Sequence, residues 1–119
     1  MFASAKGLDN LVAVVDNNGL QIDGKISEVN SPYPIAEKFK SFGWNVIEIC
    51  AHSFDEIDAA FNAAAEFKGK PSVIVANSVK GKGISFMEDQ VSWHGTAPNA
   101  EQYEQAMNEL NQALAELEV

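Results

Sequence analysis

The sequence predicts an α/β fold, a parallel sheet of about three strands with flanking helices. Two observations carry that expectation. Three short Val/Ile-rich runs, about Leu11–Asp16, Asn45–Cys50 and Ser72–Asn77, are almost continuously apolar, the pattern of strands covered on both faces. Helical patterns separate them, and strand–helix alternation implies parallel strands joined by right-handed crossovers.

The first run ends abruptly at Asp16-Asn17-Asn18-Gly19, so a buried strand opens there into a polar loop. Lys25–Asn30 reads as a long connection. Ser31-Pro32 then starts a helix, with Ile35, Phe39 and Phe42 on one face and Gly43 as its stop. The second strand ends at Cys50, the only cysteine, so no intramolecular disulfide forms. A small buried residue suits that strand end. A nucleophilic thiol needs an activating base, and His52, near in sequence, stands where a helix begins; the structural reading is preferred for both.

Ser53-Phe54-Asp55-Glu56 has the form of a capping box. Ile57, Phe61 and Ala64 make the apolar stripe of the following helix, which Gly69-Lys70-Pro71 ends. After the third strand comes a second long connection, Lys80 to Asn99, of the kind that is functional or mobile in compact domains. The last helix runs from Asn99 to Leu117. Asn99 caps it, Glu101 and Glu104 suit its positive end, and Tyr103, Met107, Leu110 and Leu114 share a face. No linker, repeat or low-complexity tract interrupts the chain, which is read as a single partial domain over residues 1–119.

Composition narrows the function classes. With 119 residues, 46% hydrophobic and 21% charged, the chain has the make-up of a globular domain with a real core. A formal net charge of -9 argues against a nucleic-acid surface, which needs clustered Lys and Arg. No apolar stretch reaches the length of a membrane span. The start, Met1-Phe2-Ala3-Ser4-Ala5-Lys6, lacks the form of a signal peptide, so a cytoplasmic location is expected by default.

Three segments could carry chemistry. Oxygen-bearing side chains crowded at Asp16-Asn17-Asn18 lie where α/β sheets bind ligands, beyond the carboxyl ends of strands, and oxygen donors suit a hard cation such as Mg²⁺. The competing reading is a turn built from Asn and Gly. Lys80-Gly81-Lys82-Gly83 offers glycines for close backbone approach and lysines for charge. It lacks the spacing of a Walker loop, and a solvated basic turn is the alternative. His94 lies in the Gly/Pro-bounded loop Ser92-Trp93-His94-Gly95-Thr96-Ala97-Pro98. Imidazole there can donate to phosphate or hydroxyl oxygens, although a loop histidine is ordinarily a surface residue. Trp93 reads as packing.

An ordered set of segments extends these readings. Gly7-Leu8-Asp9-Asn10-Leu11-Val12-Ala13, the loop from Asp16 to Gly24, Phe42-Gly43-Trp44, Gly69-Lys70-Pro71, Lys80-Gly81-Lys82-Gly83 and Trp93-His94-Gly95-Thr96-Ala97-Pro98 together resemble transketolases. The resemblance is to the later part of the thiamine-diphosphate-binding domain in the N-terminal subunit of the bacterial split type. It implies a two-carbon ketol transfer between sugar phosphates with thiamine diphosphate and Mg²⁺ (or Ca²⁺). The Asn18 side-chain oxygen and the Leu20 carbonyl would be metal ligands. Ile22 would pack near the cofactor, with a small satellite core under the loop as the alternative. Lys80 and Gly81 would meet the diphosphate. His94 would contact both diphosphate and a substrate hydroxyl, the one catalytic role assigned to this chain. Asp16 is read as orienting the loop, Asn17 as turn-forming, and Asp23-Gly24 as a plain turn.

The same resemblance marks what is missing. The family's Gly-Asp-Gly-Glu segment, whose Asp is a metal ligand, has no counterpart here, and the glutamate that activates the cofactor belongs to another domain. Met1 coincides with an internal position of the family. The expectation is therefore a piece of an active site, inactive alone and weak in cofactor binding, with complementing transketolase chains supplying the missing Asp and Glu. The family sheet is larger, so an edge should lack its neighbour and apolar faces should be bare. Two alternatives stay open: another thiamine-diphosphate enzyme, such as deoxyxylulose-phosphate synthase or a 2-oxo-acid dehydrogenase component, and a non-catalytic truncated product or interaction module that pairs with a full-length relative.

Overall fold

The computed structural model describes residues 1–117. In chain order the elements are α1 (Phe2–Ala5), β1 (Val12–Asn17), β2 (Leu20–Gln21), β3 (Gly24–Lys25), α2 (Ile26–Val29), α3 (Ile35–Ser41), β4 (Asn45–Cys50), α4 (Phe54–Glu66), β5 (Ser72–Asn77), a 3₁₀ turn (Val91–His94) and α5 (Ala100–Leu117). They form two compact units, one made of Met1–Asn18 with Asn30–Ser78, the other of Gly19–Val29 with the segment from Val79 onward.

The first unit holds a three-stranded parallel sheet in the order β1-β5-β4, with helices beside it. The last strand in sequence thus enters the middle. Ser72, Ile74 and Ala76 of β5 stand opposite Val12, Val14 and Asp16 on one side and Asn45, Ile47 and Ile49 on the other. Ile49, Ala60, Ile74 and Ala76 form the core, and Val12, Ile47, Ala51 and Ile57 pack against them.

Burial is uneven across the sheet. Residues 72–76 of β5 are all buried, as its continuous apolar run predicts. β1 and β4 read the same way in sequence, yet both are edges, and Val14 is 55% exposed. Neither strand is covered on both faces. Cys50 corrects another expectation: Ile49 turns inward and Cys50, one residue on, is exposed, as the strand's alternation requires.

Two prolines set the start of α3. The residue before a proline is disfavoured in helical geometry, so Ser31 and Tyr33 both resist helix, and α3 begins only after Pro34. Gly43 ends it with φ +81°, a conformation that glycine adopts without strain. At α4, Ser53 accepts the backbone N–H of Glu56 at 3.3 Å. The reciprocal half of a capping box is absent, because the Glu56 carboxylate accepts instead from the Cys50 N–H at 2.7 Å. The inward stripe of α4 is Ile57, Ala60 and Ala64; the larger Phe61 faces outward, 49% exposed.

In the second unit, β2 and β3 pair antiparallel about Ile22-Asp23, the plain turn expected at Asp23-Gly24. The expected open connection from Lys25 instead carries the short helix α2. α5 is capped reciprocally: Asn99 Oδ1 accepts the Gln102 N–H and Gln102 Oε1 accepts the Asn99 N–H, each at 2.9 Å. Its buried residue is Ala106, while Tyr103, Met107, Leu110 and Leu114 are exposed.

This packing can be tested at two points. Ser53→Ala should cost about 1 kcal/mol by removing the cap of α4; an unchanged denaturation midpoint contradicts that assignment. The bare apolar side chains at Val14, Phe54 and Leu114 should make the isolated chain bind an apolar-surface dye. A sharp monomeric melt without dye binding would count against it.

Candidate functional site

The parallel register delivers the last polar residues of β1 and β5 together, with Asp16 beside Ala76 and Asn17 beside Asn77. The Ser78 N–H then donates to the Asn17 carbonyl at 3.3 Å, which carries the ladder one residue further. Successive side chains on a strand point to opposite faces, so two separate networks form at this end of the sheet.

On one face Asp16 is the hub. One carboxylate oxygen accepts from the Ser78 hydroxyl, and the other accepts from Asn18 Nδ2 at 3.4 Å. On the other face, Asn17 donates from Nδ2 to Asn77 Oδ1 at 2.8 Å and accepts at Oδ1 from the Tyr33 hydroxyl at 2.9 Å. Both ends of the Asn17 amide are thus engaged within the fold. Tyr33, Asn77 and Ser78 have no distinguishing signal in the sequence; the pairing of strands 60 residues apart brings Asn77 and Ser78 here, and Tyr33 comes from the segment just before α3.

Asn18 ends the first unit, and Leu20 opens β2 of the second. Ile22 sits at the tip of the β2–β3 turn and is 67% exposed. That exposure excludes the satellite core and leaves an apolar side chain open to a ligand.

The Lys80–Gln90 loop closes on itself. Asp89 N–H donates to the Lys80 carbonyl at 3.0 Å. Gly81 has φ +72°, and a Cβ there would lie 2.5 Å from the Met87 carbonyl oxygen, so only glycine fits. Glu88 Oε1 accepts the Gly83 N–H at 3.0 Å and lies 3.2 Å from Lys82 Nζ. One of the two lysines therefore pairs with a carboxylate of its own loop. The loop is also tied to α5, where the N–H and hydroxyl of Ser85 both donate to the Glu109 carboxylate at 2.7 Å. Those donors, joined by Gln105, hold the Glu109 carboxyl below its ordinary value of 4.5.

His94 ends the 3₁₀ turn and is exposed. Its neighbour Trp93 is packing: the indole N–H donates to the Phe86 carbonyl at 3.1 Å, and the two rings lie 5.4 Å apart.

As a cation site the donors are incomplete. The described residues contain no group of three His, Cys, Asp or Glu able to hold a metal. Asn18 and Leu20 offer neutral oxygens, which suit a hard cation only as part of a set completed by carboxylate and phosphate. The residues present fit that partial role.

Residues 1–116 match the family described as transketolase, thiamine diphosphate binding domain. The chain belongs to that family. It is 39% identical over 111 residues to an apulose-4-phosphate transketolase subunit of Phocaeicola vulgatus, and 42% identical over 110 residues to the 6-deoxy-6-sulfo-D-fructose transketolase subunit SqwG of a Clostridium species. These matches cover 93% and 92% of the chain but only 40% of each relative. Human transketolase is 36% identical over 109 residues, 92% of this chain and 17% of that protein. Among solved structures, transketolase from Campylobacter jejuni superposes with a TM-score of 0.85 at 26% identity, covering 91% of this chain and 17% of that one. The α/β fold and the transketolase resemblance are both borne out. No helix of the described residues is long and apolar enough to cross a membrane.

The Ser85–Glu109 link carries a pH prediction. A carboxyl depressed in the folded state contributes stability above its unfolded value and loses it as pH falls through the folded one. The stability gap between the wild type and Glu109→Gln should hold above the ordinary value of 4.5 and close below it. A gap that persists in acid would contradict this reading.

Proposed function

We propose that this chain supplies part of the cofactor site of a transketolase that moves a two-carbon ketol unit between sugar phosphates. The Asn18 amide oxygen and the Leu20 carbonyl are its ligands to Mg²⁺ (or Ca²⁺), and the metal holds the diphosphate of thiamine diphosphate. Lys80 and Gly81 lie along that diphosphate, and Ile22 packs near the cofactor. When bound, the cofactor supplies the carbon nucleophile and the electron sink; the chain's residues bind and orient. His94 donates to the diphosphate and to a substrate hydroxyl, a task suited to a side chain that changes charge near neutral pH. The observation that carries this reading is the clustering of Asp16, Asn18 and Ser78 beyond the carboxyl ends of two parallel strands, in a chain of the thiamine-diphosphate-binding family.

Two neutral oxygens bring no charge to a divalent cation, so a complementing chain supplies the missing Asp ligand and the activating Glu. The subunit names of the two bacterial relatives favour such a division of labour. A second reading, a non-catalytic module that pairs with a full-length relative, is favoured by the exposed apolar side chains of α5.

Calorimetric titration of thiamine diphosphate with Mg²⁺, in a mixture with a chain carrying Gly-Asp-Gly-Glu, separates these readings. Asn18→Ala should abolish binding. His94→Ala should weaken it about tenfold, the loss of a hydrogen bond to a charged group. Ketol transfer should require both chains. Heat unchanged in both variants, or turnover by the purified chain alone, would overturn the proposal.

A further inference from the structure

Lys80 and Lys82 belong to one loop, yet the structure treats their charges differently. Lys82 Nζ lies 3.2 Å from the Glu88 carboxylate, so its charge is offset within the loop. Lys80 is half-buried and forms no ion pair among the described residues. A cation in that setting suits an anion from outside the chain, and it holds one well only where the backbone beneath it is already in place.

That backbone is fixed first by the loop itself. The Ile84 N–H donates to the Gly81 carbonyl at 3.2 Å, the Met87 N–H to the Ile84 carbonyl at 2.9 Å, and the Asp89 N–H to the Lys80 carbonyl at 3.0 Å. Asp89 takes φ +55° in this closed form, a conformation uncommon outside glycine, so the closure works against local strain. A support outside the loop is therefore useful, and α5 provides one.

We infer that Glu109 is a positioning residue for Lys80: it anchors the tip of the loop to α5 and thereby sets where the ammonium meets the cofactor diphosphate. The inference rests on the assignment of Lys80 to that diphosphate. The Ser85 N–H donates to Glu109 Oε2 at 2.7 Å, while the Ser85 hydroxyl at 2.7 Å and Gln105 Nε2 at 2.9 Å both donate to Oε1. A carboxylate accepts at both oxygens and donates from neither, so it takes all these bonds, whereas an amide presents a single acceptor oxygen. Gln105 and Glu109 are neighbours on one face of the helix, so α5 holds the carboxylate while the carboxylate holds the loop. Leu110, the next residue, lies 3.9 Å from where a Cβ on Gly83 would stand, which adds an apolar contact to the same junction. The route to Lys80 is short. Ser85 follows Ile84, Ile84 is bonded to the Gly81 carbonyl, and Gly81 follows Lys80.

Hydrogen exchange tests the anchor without any ligand. In the full chain, Glu109→Ala should accelerate exchange at Ile84, Ser85 and Met87 by about tenfold. The amides of α5 should keep their rates, because alanine is the best helix former. Unchanged loop amides overturn the inference. Ser85→Ala, which leaves α5 untouched and removes only the hydroxyl bond, should show a smaller acceleration at the same amides; none in either variant has the same meaning. A double-mutant cycle then tests the positioning role, by titrating thiamine diphosphate and Mg²⁺ into the mixture with the complementing chain. Lys80→Ala and Glu109→Ala should each weaken binding by about tenfold, the loss of a hydrogen bond to a charged group, and Glu109→Gln by less. In the Lys80→Ala background, Glu109→Ala should add less than about twofold, since residues acting through one contact are not additive. Equal losses in both backgrounds, or none from Glu109→Ala where Lys80→Ala weakens binding, defeat this inference alone. Binding indifferent to Lys80→Ala defeats the diphosphate assignment of Lys80 and the inference with it.

Discussion

The structure depends on the burial of one strand. β5 enters between β1 and β4 and is buried at residues 72–76, so its side chains meet both neighbours and the core residues Ile49 and Ala60. A strand with two neighbours satisfies its backbone along both edges, whereas among the described residues β1 and β4 each have one strand neighbour. Burying a side chain such as Ile74 contributes about 2 kcal/mol relative to exposing it. The register fixed in this way is what sets Asn77 beside Asn17 and leads Ser78 to Asp16. A slip of one residue would reverse every side chain of the strand and separate both polar networks.

From that register the candidate chemistry follows by alternation. Asp16 and Asn18 share one face, and Asn17 takes the other. The first pair is joined to Ser78 through the Asp16 carboxylate; the second residue ties the sheet end to Asn77 and Tyr33. The charge inventory has a similar logic. The oxygens offered by Asn18 and Leu20 are neutral, Glu88 partly offsets Lys82, and the chain as a whole carries -9. The chain spans 40% of the length of the two bacterial relatives, which is why the proposed function assigns the remaining charges to a complementing chain.

Much of the fold is legible in the sequence because it is written locally. β4 and β5 end where the apolar runs end, and β1 is displaced by a single residue. Capping by Ser53 and Asn99 depends on residues three positions apart, which a sequence displays directly. Edge status does not. Whether a strand of valines has one neighbour or two is decided by the other strands, so β1 and β4 read as buried and are not. Cys50 and Phe61 depart from expectation for a related reason: hydrophobic character gives a face but not how much of it is covered. The Asp-Asn-Asn-Gly loop stands out as a candidate because it follows a strand. Its partners Tyr33, Asn77 and Ser78 do not, since their roles arise from contacts between segments distant in sequence.

Native-state hydrogen exchange tests the dependence on β5 most directly. The amides of Val73, Ile74 and Val75 should be the slowest in the chain, and those β1 amides that pair with β5 should open in the same cooperative event. Destabilising the centre with Ile74→Ala should accelerate both sets equally. If β1 amides keep their protection while β5 exchanges freely, the strand ends are held by something other than the buried strand, and the account of the site is wrong.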